Sequence, residues 1–227
     1  MASLKRTLSA TLRLVFLLTA PAALWLAVMA VPVIELLYQH GRFGPLDTSQ
    51  TAGALVMYCV GLPAFAGVGV LTRTFYALGD TRTPVQASFV SVALNLALNL
   101  LFIGPLRFLG LGHMGLALAT SLTAVTNLFQ LVWYLRRRVG PLEGRRMLTT
   151  LWRVSVAAAL ASLLCALALR LVGPHLAGGW VGGALEVLGG LVLALVSGYA
   201  AMKALRVQEL GTVEELVASL RRRKTGD

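Results

Sequence analysis

Two consecutive apolar stretches of this chain carry amide and hydroxyl side chains at helical spacing. On the first, Ser88, Ser91, Asn95 and Asn99 fall at i, i+3, i+7 and i+11; on the second, Thr120, Thr123, Asn127, Gln130 and Tyr134 share one face. Polar groups are costly in hydrocarbon unless they pair or meet water. Two chemistries are open to them. One is hydrogen bonding between helices, worth about 0.6 kcal/mol per contact. The other is the wall of a hydrated cavity, with a weak monovalent-cation site at Asn95, Asn99 and Thr120. Amide carbonyls and hydroxyls are hard oxygen ligands, but the stripes hold no carboxylate, so any cation is held loosely. Arg73, on the preceding apolar stretch, either snorkels to the interface or pairs bidentately with a lipid diphosphate. The candidate cavity-lining set is therefore Arg73, Asn95, Asn99, Thr120 and Asn127.

Catalysis has no comparable set. H-E-x-x-H, G-x-S-x-G and P-loop patterns do not occur, and Asp80 has no second acid at its depth for an aspartyl protease. His40, His113 and His175 are far apart and lack ligand spacing, so neither a metal site nor an enzyme is expected, and no cofactor is called for.

The elements that must position these residues are membrane helices. The chain is 57% hydrophobic and only 13% charged, with mean hydropathy +0.79, whereas soluble domains are roughly 25% charged. Six runs are long enough to cross a bilayer: Leu12–Val33, Thr51–Leu78, Pro84–Ile103, His113–Leu135, Leu151–Val172 and Val181–Lys203. If they alternate, nearly all Lys and Arg fall on one side, leaving Arg42, Arg107 and Arg170 on the other. This asymmetry predicts a multi-pass inner-membrane protein with both termini cytoplasmic. The net charge of +11 then serves topology and contact with anionic membrane lipids, not nucleic acid. The first run is too long for a signal peptide and reads as a retained span. Cys59 and Cys165 sit inside spans and read as apolar fillers, not a disulfide.

The joint between the second and third spans reads as a tight helix hairpin. Gly79 takes the left-handed C′ position, Thr83 the N-cap, Pro84 N1, and Gln86 the N3 place of a capping box. Pro21 and Pro63 interrupt two spans, as tolerated prolines or as bends that shape a cavity. Gly190, Ala194 and Gly198 form a small-residue face for close helix packing. The chain divides into residues 1–138 with four spans, 139–206 with two further spans, and 207–227. In the last segment Thr212–Glu215 is a capping box opening an amphipathic tail helix that lies on the inner membrane surface or docks a partner.

The string Phe75-Tyr76-Ala77-Leu78-Gly79-Asp80-Thr81-Arg82-Thr83-Pro84 resembles a motif of the MurJ/MviN lipid II flippases, within the multidrug and oligosaccharidyl-lipid exporter superfamily. Three further stretches resemble the same family: residues Tyr38–Phe43, Tyr58–Phe65 and Gly115–Leu122. The resemblance implies an all-α, MATE-like, two-lobe transporter of fourteen spans, of which this chain matches spans nine to fourteen. It implies translocation of undecaprenyl-diphosphate-linked peptidoglycan precursor by alternating access. The missing N-terminal half and cell-wall synthesis proteins are the implied partners. Rival readings are another lipid-linked polysaccharide flippase or drug exporter of the superfamily, and a non-transporting membrane piece that binds lipid or a partner chain.

Overall fold

The computed structural model describes residues 2–140, 144–172, 179–205, 207, 210 and 211. The expected tail helix over 212–224 lies outside them, as does His175. Among the described residues there is no strand, and the chain is an all-helical transmembrane bundle. The helices are α1 (Ala2–Val28), α2 (Ala30–Tyr38), α3 (Pro45–Ala77), α4 (Arg82–Ile103), α5 (His113–Val139), α6 (Gly144–Val172) and α7 (Trp180–Ala204), with a 3-10 turn at Pro105–Leu109. Six of them, all but α2, are long and apolar enough to span.

The expected first span does not run unbroken to Val33. It stops at Val28, and α2 begins at Ala30 after Met29, whose ψ is 8°. Pro32 supplies the reason: it has no N–H for the Val28 carbonyl, and its ring crowds that group. Pro21 and Pro63, by contrast, sit inside continuous helices.

Chain order is not packing order. α5 lies between α3 and α4, packing on both, while α3 and α4 meet only near their shared turn. The joint therefore reverses the chain as expected, but the two helices splay instead of forming a packed hairpin. On the other side α3 packs on α1, α1 on α6, and α6 on α7; α2 bridges α3 and α7. The α3–α5 seam is close because Gly61 lies against Ser121: a Cβ at Gly61 would come within 2.8 Å of the Ser121 backbone. Ser121 donates to the Met57 carbonyl across the seam at 2.7 Å. The expected small-residue face holds: Gly190 meets Met29 and Cys165, and Gly198 meets Ala161.

The splayed turn is pinned at its base. Gly79 has φ +73°, with Asp80 N–H donating to the Phe75 carbonyl and Gly79 N–H to that of Tyr76. That is the Schellman pattern, and it satisfies the last carbonyls of α3. The expected Thr83 cap is corrected: α4 begins at Arg82, and Asp80 does the capping. Its carboxylate accepts from the Thr83 amide at 3.0 Å and the Thr83 hydroxyl at 2.6 Å, and pairs with Arg138 at the end of α5. An anion at a helix N-terminus is favoured by the exposed amides and the helix dipole. Thr83 thus donates to the cap.

Candidate functional site

Asn95 and Asn99 lie one turn apart on α4, and Thr120 faces them from α5. Asn99 Nδ2 donates to Asn95 Oδ1 at 3.0 Å, and Asn95 Nδ2 donates to Thr120 Oγ1 at 3.4 Å. The Thr120 hydroxyl donates in turn to the Leu116 carbonyl at 2.9 Å. Three of the expected site residues are thus brought together in one polar chain across the α4–α5 interface. Asn95 sits eight residues inside the α4 end at Ile103 and Thr120 seven inside the α5 start at His113, roughly 11 Å from that end of the bundle, with Asn99 one turn nearer to it.

Chemically the cluster is an oxygen-rich patch without formal charge. The buried Asn99 Oδ1 accepts no hydrogen bond among the described residues, nor do Asn127 Oδ1 and Gln130 Oε1 further along α5. An amide carbonyl buried without a donor costs about 1–3 kcal/mol. Water or a weakly held cation would relieve that cost. The other stripe hydroxyls turn inward on their own helices: Ser88 donates to the Pro84 carbonyl, Ser91 to Ala87 and Thr123 to Ala119.

Asn127 is two turns from Thr120 and does not join the polar chain. Arg73 is also apart. It is exposed, four residues from the end of α3, while Asn95 lies thirteen residues beyond the start of α4 at that same end. The difference in depth is roughly 14 Å.

Sequence reasoning missed the Asp80–Arg138 pair. The spacing Asp80-x-x-Thr83 was a readable signal, because Asp ranks at or above Thr as an N-cap. The Thr83 hydroxyl and amide, followed by Arg138, hold the Asp80 carboxyl below the usual carboxylate range. The pair joins the α3–α4 turn to the end of α5, and Lys5 reaches the same place, its Nζ lying 3.1 Å from where a Cβ on Gly140 would stand. Hence the basic start of α1, the α3–α4 turn and the Arg136–Arg138 end of α5 share one end of the bundle.

Among known proteins, the family model described as lipid II flippase MurJ matches residues 1–180. The probable lipid II flippase MurJ of Rickettsia prowazekii is 37% identical over 123 residues, which is 54% of this chain and 23% of that protein. The Vibrio cholerae counterpart is 36% identical over 117 residues, covering 52% and 21%. The lipid II flippase MurJ of Thermosipho africanus is 29% identical over 126 residues, covering 56% and 26%. A solved lipid II flippase MurJ in an inward closed conformation superposes with TM-score 0.68 and 22% identity, over 89% of this chain and 40% of that one. That likeness shows a shared fold. This chain spans about a quarter of the length of the curated relatives it matches.

Proposed function

The chain belongs to the lipid II flippase MurJ family, and from that premise we propose that it works as the C-terminal portion of such a flippase. Its role is to help carry undecaprenyl-diphosphate-linked peptidoglycan precursor across the bacterial inner membrane by alternating access. The reading includes both termini in the cytoplasm, contact of the basic end with anionic lipids, and assembly with the remaining spans of the two-lobe fold. Cell-wall synthesis proteins are the further partners, and nucleic acid is not one. Residues 1–138 belong to the second lobe; residues 139–206 add two flanking spans.

One observation carries the part played by this chain: the Asn99–Asn95–Thr120 hydrogen-bond chain, with Asn99 Oδ1 left as an open buried acceptor. We assign it to a wet wall of the transport path, where the open acceptor takes up water or a weakly bound monovalent cation. Arg73, at the basic end, is assigned to the diphosphate at entry, where a guanidinium offers paired donors. Asn127 lines the same path closer to that end.

The test is rescue of a flippase-depleted bacterium by this chain joined to the N-terminal spans of a relative. Asn95→Leu with Asn99→Leu is expected to abolish rescue while the protein still accumulates in the membrane. If the residues only join helices, Leu packing substitutes at little cost. Full rescue by the double variant would then remove them from the mechanism.

A further inference from the structure

α7 has two unlike faces. Val181, Leu185, Leu188, Val192, Leu195 and Tyr199 are all exposed. They recur at alternating steps of four and three residues, so they form one stripe along the helix. The opposite face is built of small residues. Gly182, Gly190 and Gly198 are buried, with Gly190 against Met29 and Cys165 and Gly198 against Ala161. The acid of this helix, Glu186, lies off the stripe, one turn from Gly183, which faces Leu36 of α2. α6 repeats the division. Ala157, Ala158, Ala161 and Cys165 are buried, while Leu163 and Leu167 are exposed on the side that carries Trp152 and Arg170.

Helices in a bilayer approach one another through small residues, because lipid tails solvate large aliphatic side chains as well as another helix does. On α6 and α7 the small sides are already used inside the bundle. The outward sides lack the residues through which a further helix would come close.

The ends of these outward sides fit a bilayer. Trp180 opens α7, and Tyr199 stands nineteen residues on, with Lys203 Nζ 5.9 Å from its ring. That is about 28 Å of helix. On α6, Trp152 and Arg170 are eighteen residues apart, about 27 Å. The two helices run in opposite directions. Trp152 therefore joins Tyr199 at the basic end, and Arg170 joins Trp180 at the other. Both separations approach the roughly 30 Å of the hydrocarbon layer. Trp and Tyr collect at headgroup level, and long basic side chains reach the headgroups from just inside it. A seam with another helix would not call for aromatic and basic residues at that spacing.

We propose that the outward faces of α6 and α7 form a lipid-facing edge of the assembled protein. Lipid tails cover the aliphatic stripes, headgroups meet the Trp152–Tyr199 and Trp180–Arg170 levels, and the remaining spans join the bundle elsewhere. This edge is independent of the part given to Asn95 and Asn99.

The test uses the full chain with Trp25, Trp133, Trp152 and Trp180 replaced by Phe and with Leu188→Trp added. It is reconstituted in vesicles whose lipids carry bromine, a fluorescence quencher, either deep in the tails or near the headgroup. Leu188 stands eight residues beyond Trp180, about 12 Å into the layer. Emission from Leu188→Trp should fall more with the deep bromines. A chain that keeps Trp180 as its sole Trp should lose more with the shallow ones. Val192→Trp, on the same stripe, should behave as Leu188→Trp does, and circular dichroism checks that each variant is folded. The same ordering should persist when the remaining spans of a relative are co-expressed and purified with the chain. Loss of quenching on that assembly overturns the proposal, since a further helix would then be the cover. Absence of quenching of a folded Leu188→Trp chain does so too. Equal response of Trp180 and Leu188→Trp to the deep bromines would remove the headgroup levels. Efficient disulfide formation between copies carrying Leu188→Cys would make a second copy the occupant and overturn the proposal as well.

Discussion

Asp80 shows how much structure one carboxylate can organise. It caps α4 through two groups of Thr83 and reaches Arg138 on α5, so its removal should cost more than removal of either partner. Asp80→Ala is expected to lower the melting temperature through the lost cap, and Thr83→Ala to lower it less, because the Thr83 amide still donates. Thermal melts in detergent decide between them; a larger loss for Thr83→Ala would return the cap to Thr83. Because the folded carboxyl titrates below its ordinary range, its contribution is present above the unfolded value near pH 4 and is lost as pH falls through the folded one. The melting gap between wild type and Asp80→Asn should therefore be wide at about pH 7 and close in strong acid. A gap independent of pH would sink the electrostatic account. Gly79, at φ +73°, should resist Gly79→Val, since a β-branched residue in the left-handed region costs upward of 1–2 kcal/mol. Wild-type folded yield for that variant would show that α3 does not end there.

The six long helices were legible because each is a hydrophobic run closed by turn residues, and periodicity alone placed Asn95, Asn99 and Thr120 on facing stripes. Which helices touch was not legible in the same way. The Thr72–Pro84 joint encodes a chain reversal, but reversal says nothing about packing, and α5 takes the place beside α3 that α4 was expected to hold. The break at Met29 was written in Pro32 and went unread because the apolar run continues through it. Asn127 and Arg73 could not be placed by spacing, since spacing fixes a face and leaves depth and partner open. The α3–α5 seam explains why residues Tyr58–Phe65 and Gly115–Leu122 belong together: Gly61 from one meets Ser121 from the other. Gly61→Leu should push the seam apart, at the roughly 1–3 kcal/mol typical of overpacking. Ser121→Ala should cost about 1 kcal/mol, the scale of one hydrogen bond. Melts and folded yield check both, and a Gly61→Leu protein as stable as wild type would mean that the seam is loose.

On the scale of the whole chain, the bundle is polarised by charge. The start of α1, the α3–α4 turn and the end of α5 meet at one end through Lys5, Asp80 and Arg138, and α7 ends there with Lys203. Arg42, in the joint between α2 and α3, and Arg170, in the last turn of α6, lie toward the opposite end. Helix direction alone requires this separation, so the bundle geometry and the Lys/Arg distribution agree without reference to any membrane. The positive-inside rule, which ties excess Lys and Arg in short joints to the cytoplasmic side, predicts that the basic end faces the cytoplasm. Single cysteines at Arg42 and Arg145 test it, in a background whose native thiols, Cys59 and Cys165, are buried. A membrane-impermeant thiol reagent added to intact cells from which the outer barrier has been stripped should label the Arg42→Cys protein and spare Arg145→Cys. After permeabilisation both should react. The reverse pattern in intact cells would invert the bundle and put the basic end outside. Labelling of both before permeabilisation would mean that the helices do not alternate across the bilayer, and a path running between α4 and α5 from one face to the other would lose its geometry.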